Sequence, residues 1–86
     1  MKRIENLNRS QVAHNLLNVG YETIARDNNG IARLEISQCA GGFYLSVRTY
    51  VLGMGFGSGH TVETGELTTR MDAVNAGIEY LNISEL

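Results

Sequence analysis

The chain holds a single cysteine, Cys39. A lone thiol closes no internal disulfide, and a secreted domain of this size ordinarily needs several, so the sequence points to a reducing compartment, the cytoplasm. The Asn-x-Ser matches at Asn8 and Asn82 are then chance. Lysine is as scarce: Lys2 stands alone against six arginines, so most cationic groups are planar forks suited to bidentate pairing. No apolar run approaches the ~18 to 20 residues of a transmembrane helix, and residues 1–10 lack the apolar centre of a signal peptide.

Familiar chemistry is missing too. Neither G-x-x-x-x-G-K-[ST] nor G-x-G-x-x-G occurs, so no phosphate-cradling loop is expected. General acid-base work needs a positioned pair, and the chain offers only His14, His60 and Cys39, dispersed along its length. Glu63 and Glu66 lie close in sequence, but nothing apolar beside them would raise a carboxyl pKa. The expectation is a protein that is not an enzyme and uses no cofactor or metal. A net charge of -2 gives no bulk attraction to a phosphate backbone, so direct nucleic-acid binding is disfavoured.

What the chain does have is a composition that folds: 43% hydrophobic and 19% charged residues over 86 positions, enough for one small domain with a thin core. The organising stretch is Gly42 to Leu52. Phe43, Leu45, Val47, Thr49 and Val51 alternate with Tyr44, Ser46, Arg48 and Tyr50, the period of a strand with one face on a core. Ile31 to Ser37 alternates in the same way, with Ala32, Leu34 and Ile36 against Arg33, Glu35 and Ser37. A turn at Ala40-Gly41 pairs Ile36 with Leu45, Leu34 with Val47 and Ala32 with Thr49, and sets Arg33 opposite Arg48 on the other face.

Around this hairpin the pattern is weaker. Asn8 or Ser10 caps a helix carrying Val12, Ala13, Leu16 and Leu17, which Gly20 ends. Tyr21 to Asp27 reads as a strand closed by Asn28-Asn29-Gly30. A three-residue loop there turns Ile24 inward; a two-residue loop turns Tyr21, Thr23 and Ala25 inward instead, and the sequence leaves both open. Gly53, Gly55, Gly57 and Gly59 alternate through a segment expected to be mobile over residues 53–60 in the free protein, either a connector with Met54 and Phe56 folded back onto the core or a binding loop with both as apolar anchors for a partner, and the sequence leaves both open. Thr61 to Thr68 suggests a short fourth strand. Thr69 and Asp72 form a capping box ahead of Met71, Val74, Ile78 and Leu81, with Ala73, Ala76 and Gly77 keeping the helix face small.

The sum is a two-layer α+β domain over residues 1–86: an antiparallel three- to four-stranded meander sheet with an N-terminal and a C-terminal helix on one face. The other face stays open, carrying Arg33, Tyr44, Arg48 and Tyr50. These four, with Met54 and Phe56, are the expected partner-binding residues. Two arginines set opposite each other repel unless Glu35 neutralises them or a partner's carboxylate or phosphate does.

The order of helix, three strands and helix resembles double-stranded RNA-binding domains, with GMGFGSG standing where those have a glycine-containing turn. Such domains carry a lysine cluster at the start of the second helix, where this chain has Thr68-Thr69-Arg70-Met71-Asp72. The small size, GGFYLSVRTYVLG followed by TTRMDAVNAGIEYLN, and the missing catalytic residues resemble the small α+β proteins of phages and mobile elements, the anti-CRISPR inhibitors among them. That resemblance implies a non-enzymatic protein that occupies a bacterial defence complex. The expected partner is a protein, alone or within a nucleoprotein complex, with no membrane involved. Homodimerisation through an exposed strand edge is compatible with this.

Overall fold

A computed structural model describes residues 1–54 and 57–83. Seven elements follow in order: β1 (Lys2–Arg3), α1 (Arg9–Asn18), β2 (Tyr21–Arg26), β3 (Gly30–Cys39), β4 (Gly42–Val51), β5 (Gly59–Thr61) and α2 (Arg70–Leu81). The strands form one antiparallel sheet in sequence order, β1-β2-β3-β4-β5. The α+β architecture is as expected, but the sheet has five strands rather than three or four. Both extra assignments concern very short edge strands, whose two or three residues are too few to show a period. β1 is fixed by the Arg3 guanidinium, which donates to the Leu81 carbonyl at the end of α2, and by the Ile4 N–H on the Ile24 carbonyl at 2.9 Å.

The central hairpin has the expected register: Ile36 faces Leu45, Leu34 faces Val47, Ala32 faces Thr49, and Arg33 faces Arg48. Its odd β4 and even β3 side chains turn toward the helices, where Leu34 and Leu45 are fully buried with Val12 and Leu16 of α1 and Val74 of α2. Ile78, Leu81, Ile24 and Ala32 complete the core, while Ile36 and Val47 pack against it half-buried. Gly77 allows the close approach of α2, since a Cβ there would lie 2.8 Å from Leu16 Cδ1 and 3.2 Å from Leu34 Cδ2. Among the described residues no helix is long and apolar enough to cross a membrane.

The strand before Gly30 resolves an ambiguity that the sequence left open. Arg26 pairs with Ile31 and Ala25 with Ala32, but Thr23 pairs with Arg33, so the register shifts by one residue at Ile24. This bulge sends both Ile24 and Ala25 toward the core and leaves Tyr21 and Thr23 on the open face. The turn itself is held by Asp27, whose Oδ1 accepts from the Asn29 and Gly30 N–H groups at 2.7 and 2.9 Å.

The glycine segment also departs from expectation. Gly53 takes φ +81 in a turn closed by the Met54 N–H on the Val51 carbonyl at 3.0 Å. The second half is tied to β4: Thr49 N–H donates to the Ser58 carbonyl at 2.8 Å, and β5 begins at Gly59, ahead of the strand expected at Thr61 to Thr68. Glycine is needed at Gly59 for contact, since a Cβ there would lie 2.7 Å from the Val47 carbonyl and 2.8 Å from Arg48 Cγ. Gly59→Ala is therefore expected to destabilise the fold by about 1 to 3 kcal/mol in urea unfolding, with Gly53→Ala affected through its positive φ instead.

Both helices start where their caps lie. Asn8 Oδ1 accepts from the Gln11 N–H at 2.9 Å, and Thr69 with Asp72 forms the reciprocal capping box of α2. The Thr69 side chain and backbone hold the Asp72 carboxyl below its ordinary value of 3.8. A depressed carboxyl contributes stability that is present above the unfolded pKa and lost as pH falls through the folded value. Asp72→Asn is thus expected to flatten the dependence of melting temperature on pH below about pH 4, without altering it near neutrality by the same mechanism.

Candidate functional site

Both helices cover one face of the sheet, so the functional question concerns the other. Two rows of side chains cross it, set by the strand registers. Tyr21, Glu35, Ser46 and Thr61 stand opposite one another in turn, and beside them Thr23, Arg33, Arg48 and Gly59 do the same. Tyr50 of β4 and Tyr44, opposite Ser37, flank these rows. Neighbouring side chains on one sheet face are close enough to interact directly, and here they form a connected cluster.

Arg33 is its centre. Its guanidinium carbon lies 3.9 Å from the centroid of the Tyr21 ring and 4.8 Å from that of Tyr50, so the cation is stacked against two aromatic faces. Arg48, opposite it, is neutralised within the sheet: its Nε stands 3.6 Å from Glu35 Oε1. The other carboxylate oxygen, Oε2, accepts from the Tyr50 hydroxyl. That hydrogen bond, more than burial, raises the Tyr50 phenol above its ordinary 10.0. The arginine repulsion implied by the register is thus relieved by Glu35 and by two rings.

Two buried polar atoms have no hydrogen-bond partner among the described residues, Arg33 Nε and Ser46 Oγ. Ser46 is only 4% exposed. It lies at a depression of about 430 Å³ between β4 and β5, lined also by Tyr44, Arg48, Gly59, His60 and Thr61.

The expected partner-binding residues are therefore split. Arg33, Arg48 and Tyr50 belong to one cluster, Tyr44 lines the depression beside it, and Met54 projects from the turn after β4 with 77% of its surface exposed. Phe56 lies outside the described residues. The sequence does not single out Tyr21, because its face depends on the bulge at Ile24; alternation puts Ser46 on the open face but cannot show that its hydroxyl is unpaired. His14 sits on α1 near Asn18, Cys39 is exposed at the end of β3 and His60 is in β5. Among the described residues no three His, Cys, Asp or Glu side chains are grouped as a metal site would need.

No family model matches this chain, and neither a curated protein nor a solved structure does.

Proposed function

We propose that the chain is a non-enzymatic protein-binding module whose working surface is the open face of its sheet. The observation that carries this reading is the stack of Arg33 between Tyr21 and Tyr50, braced by Glu35 and Arg48, on a face that neither helix covers. Tyrosine and arginine dominate interface energies because they bury large area and pair specifically. Side chains already held in place lose little further entropy on binding, so a braced cluster binds more tightly than the same residues free to rotate. A surface of this kind suits a partner that is occupied and blocked. The resemblance to anti-CRISPR inhibitors supports the narrower proposal that the partner is a component of a bacterial defence complex.

The test is affinity capture from a bacterial lysate with and without nuclease treatment, run with the native chain and with Arg33→Ala at equal concentrations of folded protein. A protein retained by the native chain and lost by the variant supports the reading. Retention that disappears with nuclease would assign the face to nucleic acid, on which aromatic and arginine planes also stack, and would overturn it.

A further inference from the structure

The edge of the sheet on the β1 side is only half covered. β1 stands opposite Ala25 and Arg26, and the Ile4 N–H reaches the Ile24 carbonyl, but along Tyr21, Glu22 and Thr23 no described strand lies outside β2. The pairing with β3 fixes which backbone groups are left over. The Gly20 carbonyl accepts from the Ile36 N–H at 2.8 Å, so in the alternation of an antiparallel ladder Glu22 also turns its backbone groups to β3, and those of Tyr21 and Thr23 point away from it. A groove of about 260 Å³ runs beside this edge, lined by Tyr21, Glu22 and Thr23 together with Asn15 and Val19 from the end of α1. Glu22, opposite Leu34, is on the helix side, where the Asn15 amide donates to its Oε2 and no cation among the described residues pairs with it. Val19, beside it in the groove, is 57% exposed. Tyr21 faces the other way, onto Arg33.

We propose that residues 21–23 are a strand-addition site: an extended segment of the protein partner pairs with this edge and presents a lysine or arginine to Glu22. This deepens the function proposed above and rests on the partner being a protein that engages the open face. A segment paired there gives the outward N–H and C=O groups of Tyr21 and Thr23 their hydrogen bonds, and it continues the row that Tyr21 begins, so that its side chains on that face meet the stack of Tyr21 and Arg33. Its residue opposite Glu22 falls on the helix side. A long basic side chain there lays its stem along exposed Val19 and sets its charge on the carboxylate. Charge also decides against a second copy of this chain, because the antiparallel register that pairs all three residues of two such edges sets one Glu22 directly opposite the other.

The probe is an acetylated and amidated pentapeptide, Thr-Tyr-Lys-Val-Thr, added to the full chain while backbone amide shifts are followed, with Thr-Tyr-Glu-Val-Thr in parallel. The lysine peptide is expected to give saturable shifts centred on Tyr21, Glu22 and Thr23, to slow solvent exchange of the Tyr21 and Thr23 amides, and to bind roughly fivefold more tightly than the glutamate peptide. Thr23→Pro removes an outward N–H that the sheet itself does not use, and should weaken the lysine peptide about tenfold. Glu22→Lys leaves the backbone intact and should reverse the preference between the two peptides. Shifts that do not saturate or that centre elsewhere, or a preference that Glu22→Lys leaves unchanged, would overturn the proposal. So would a dimer of the chain alone that Thr23→Pro dissolves, which assigns the edge to a second copy. A captured protein lost with Arg33→Ala but kept with both Glu22→Lys and Thr23→Pro overturns the edge and leaves the reading of the face. Peptide binding at the edge, beside capture that Arg33→Ala does not reduce, supports the edge and overturns that reading.

Discussion

Leu45→Ala is expected to remove about 2 to 5 kcal/mol of folding stability, measured by urea unfolding at neutral pH. Leu45 is on the central strand with no accessible surface, and it packs in one cluster with Leu16 of α1, Leu34 of β3 and Val74 of α2. Truncation there loses transfer energy and leaves a cavity that cannot close easily, because two helices and a sheet meet on it. A domain of this length has roughly 5 to 10 kcal/mol of stability in total, so the variant is expected to melt many degrees lower and to be partly unfolded at 37 °C. Ile36→Ala, at a half-buried position in the same pair, should lose distinctly less. An effect at Leu45 no larger than at Ile36 would mean that the sheet does not pack on the helices as described.

The second large effect concerns binding rather than folding. Tyr50→Ala is expected to weaken partner affinity by about 2 kcal/mol or more, some thirtyfold, in a direct titration with the captured partner. Tyr50 touches both halves of the cluster: its ring stacks on Arg33 and its hydroxyl donates to Glu35. Removing it exposes the guanidinium on one side and frees the Glu35 carboxylate to reorient. Tyr50→Phe separates these roles, since it keeps the ring and loses only the hydroxyl. It should retain most of the affinity if the stack is what the partner meets. The stability loss of either variant is expected to be small beside that of Leu45→Ala, because the open face adds little to the core. Reduced stability with unchanged affinity per folded molecule would place the working surface elsewhere, with exposed Met54 as the next position to test.

The parts of this fold that could be read from the sequence are those where a period repeats often enough to be seen. β3 alternates three times, at Ala32, Leu34 and Ile36, and β4 alternates along its ten residues, and with the glycine turn between them even the pairing of Arg33 with Arg48 follows. Capping residues at Asn8, Thr69 and Asp72 act within a single turn of chain, so local sequence suffices. Less could be read where one residue alters the period or where the cause is distant. The bulge at Ile24 puts Tyr21 and Ala25, which plain alternation would place on one face, on opposite faces of the sheet. β1 exists because Arg3 reaches the end of α2, 78 residues away in the chain. The Gly57 and Gly59 positions suggested freedom in sequence, whereas the structure uses their missing side chains for close backbone approach to β4.

The same distinction holds for the site. Arg33, Tyr44, Arg48 and Tyr50 share a face by alternation alone, and Glu35 follows as the diagonal neighbour able to balance the arginines. Tyr21 joins only once the bulge is known. The orphaned Ser46 hydroxyl is a property of packing, since it depends on what the surrounding side chains do rather than on their order in the chain.

Site-specific photo-crosslinking from two tyrosine positions most directly tests whether the open face is the working surface. Tyr44 is on that face beside the cluster, whereas Tyr80 is exposed on α2, the layer behind the sheet. A photoreactive phenylalanine analogue at position 44 or at position 80, in otherwise native chain, is irradiated in nuclease-treated lysate after both variants are shown to melt like the native protein. The account predicts one discrete protein adduct from position 44, suppressed by excess unlabelled native chain, and none from position 80. An adduct from position 80 with none from position 44 would place the partner on the helical layer and contradict it.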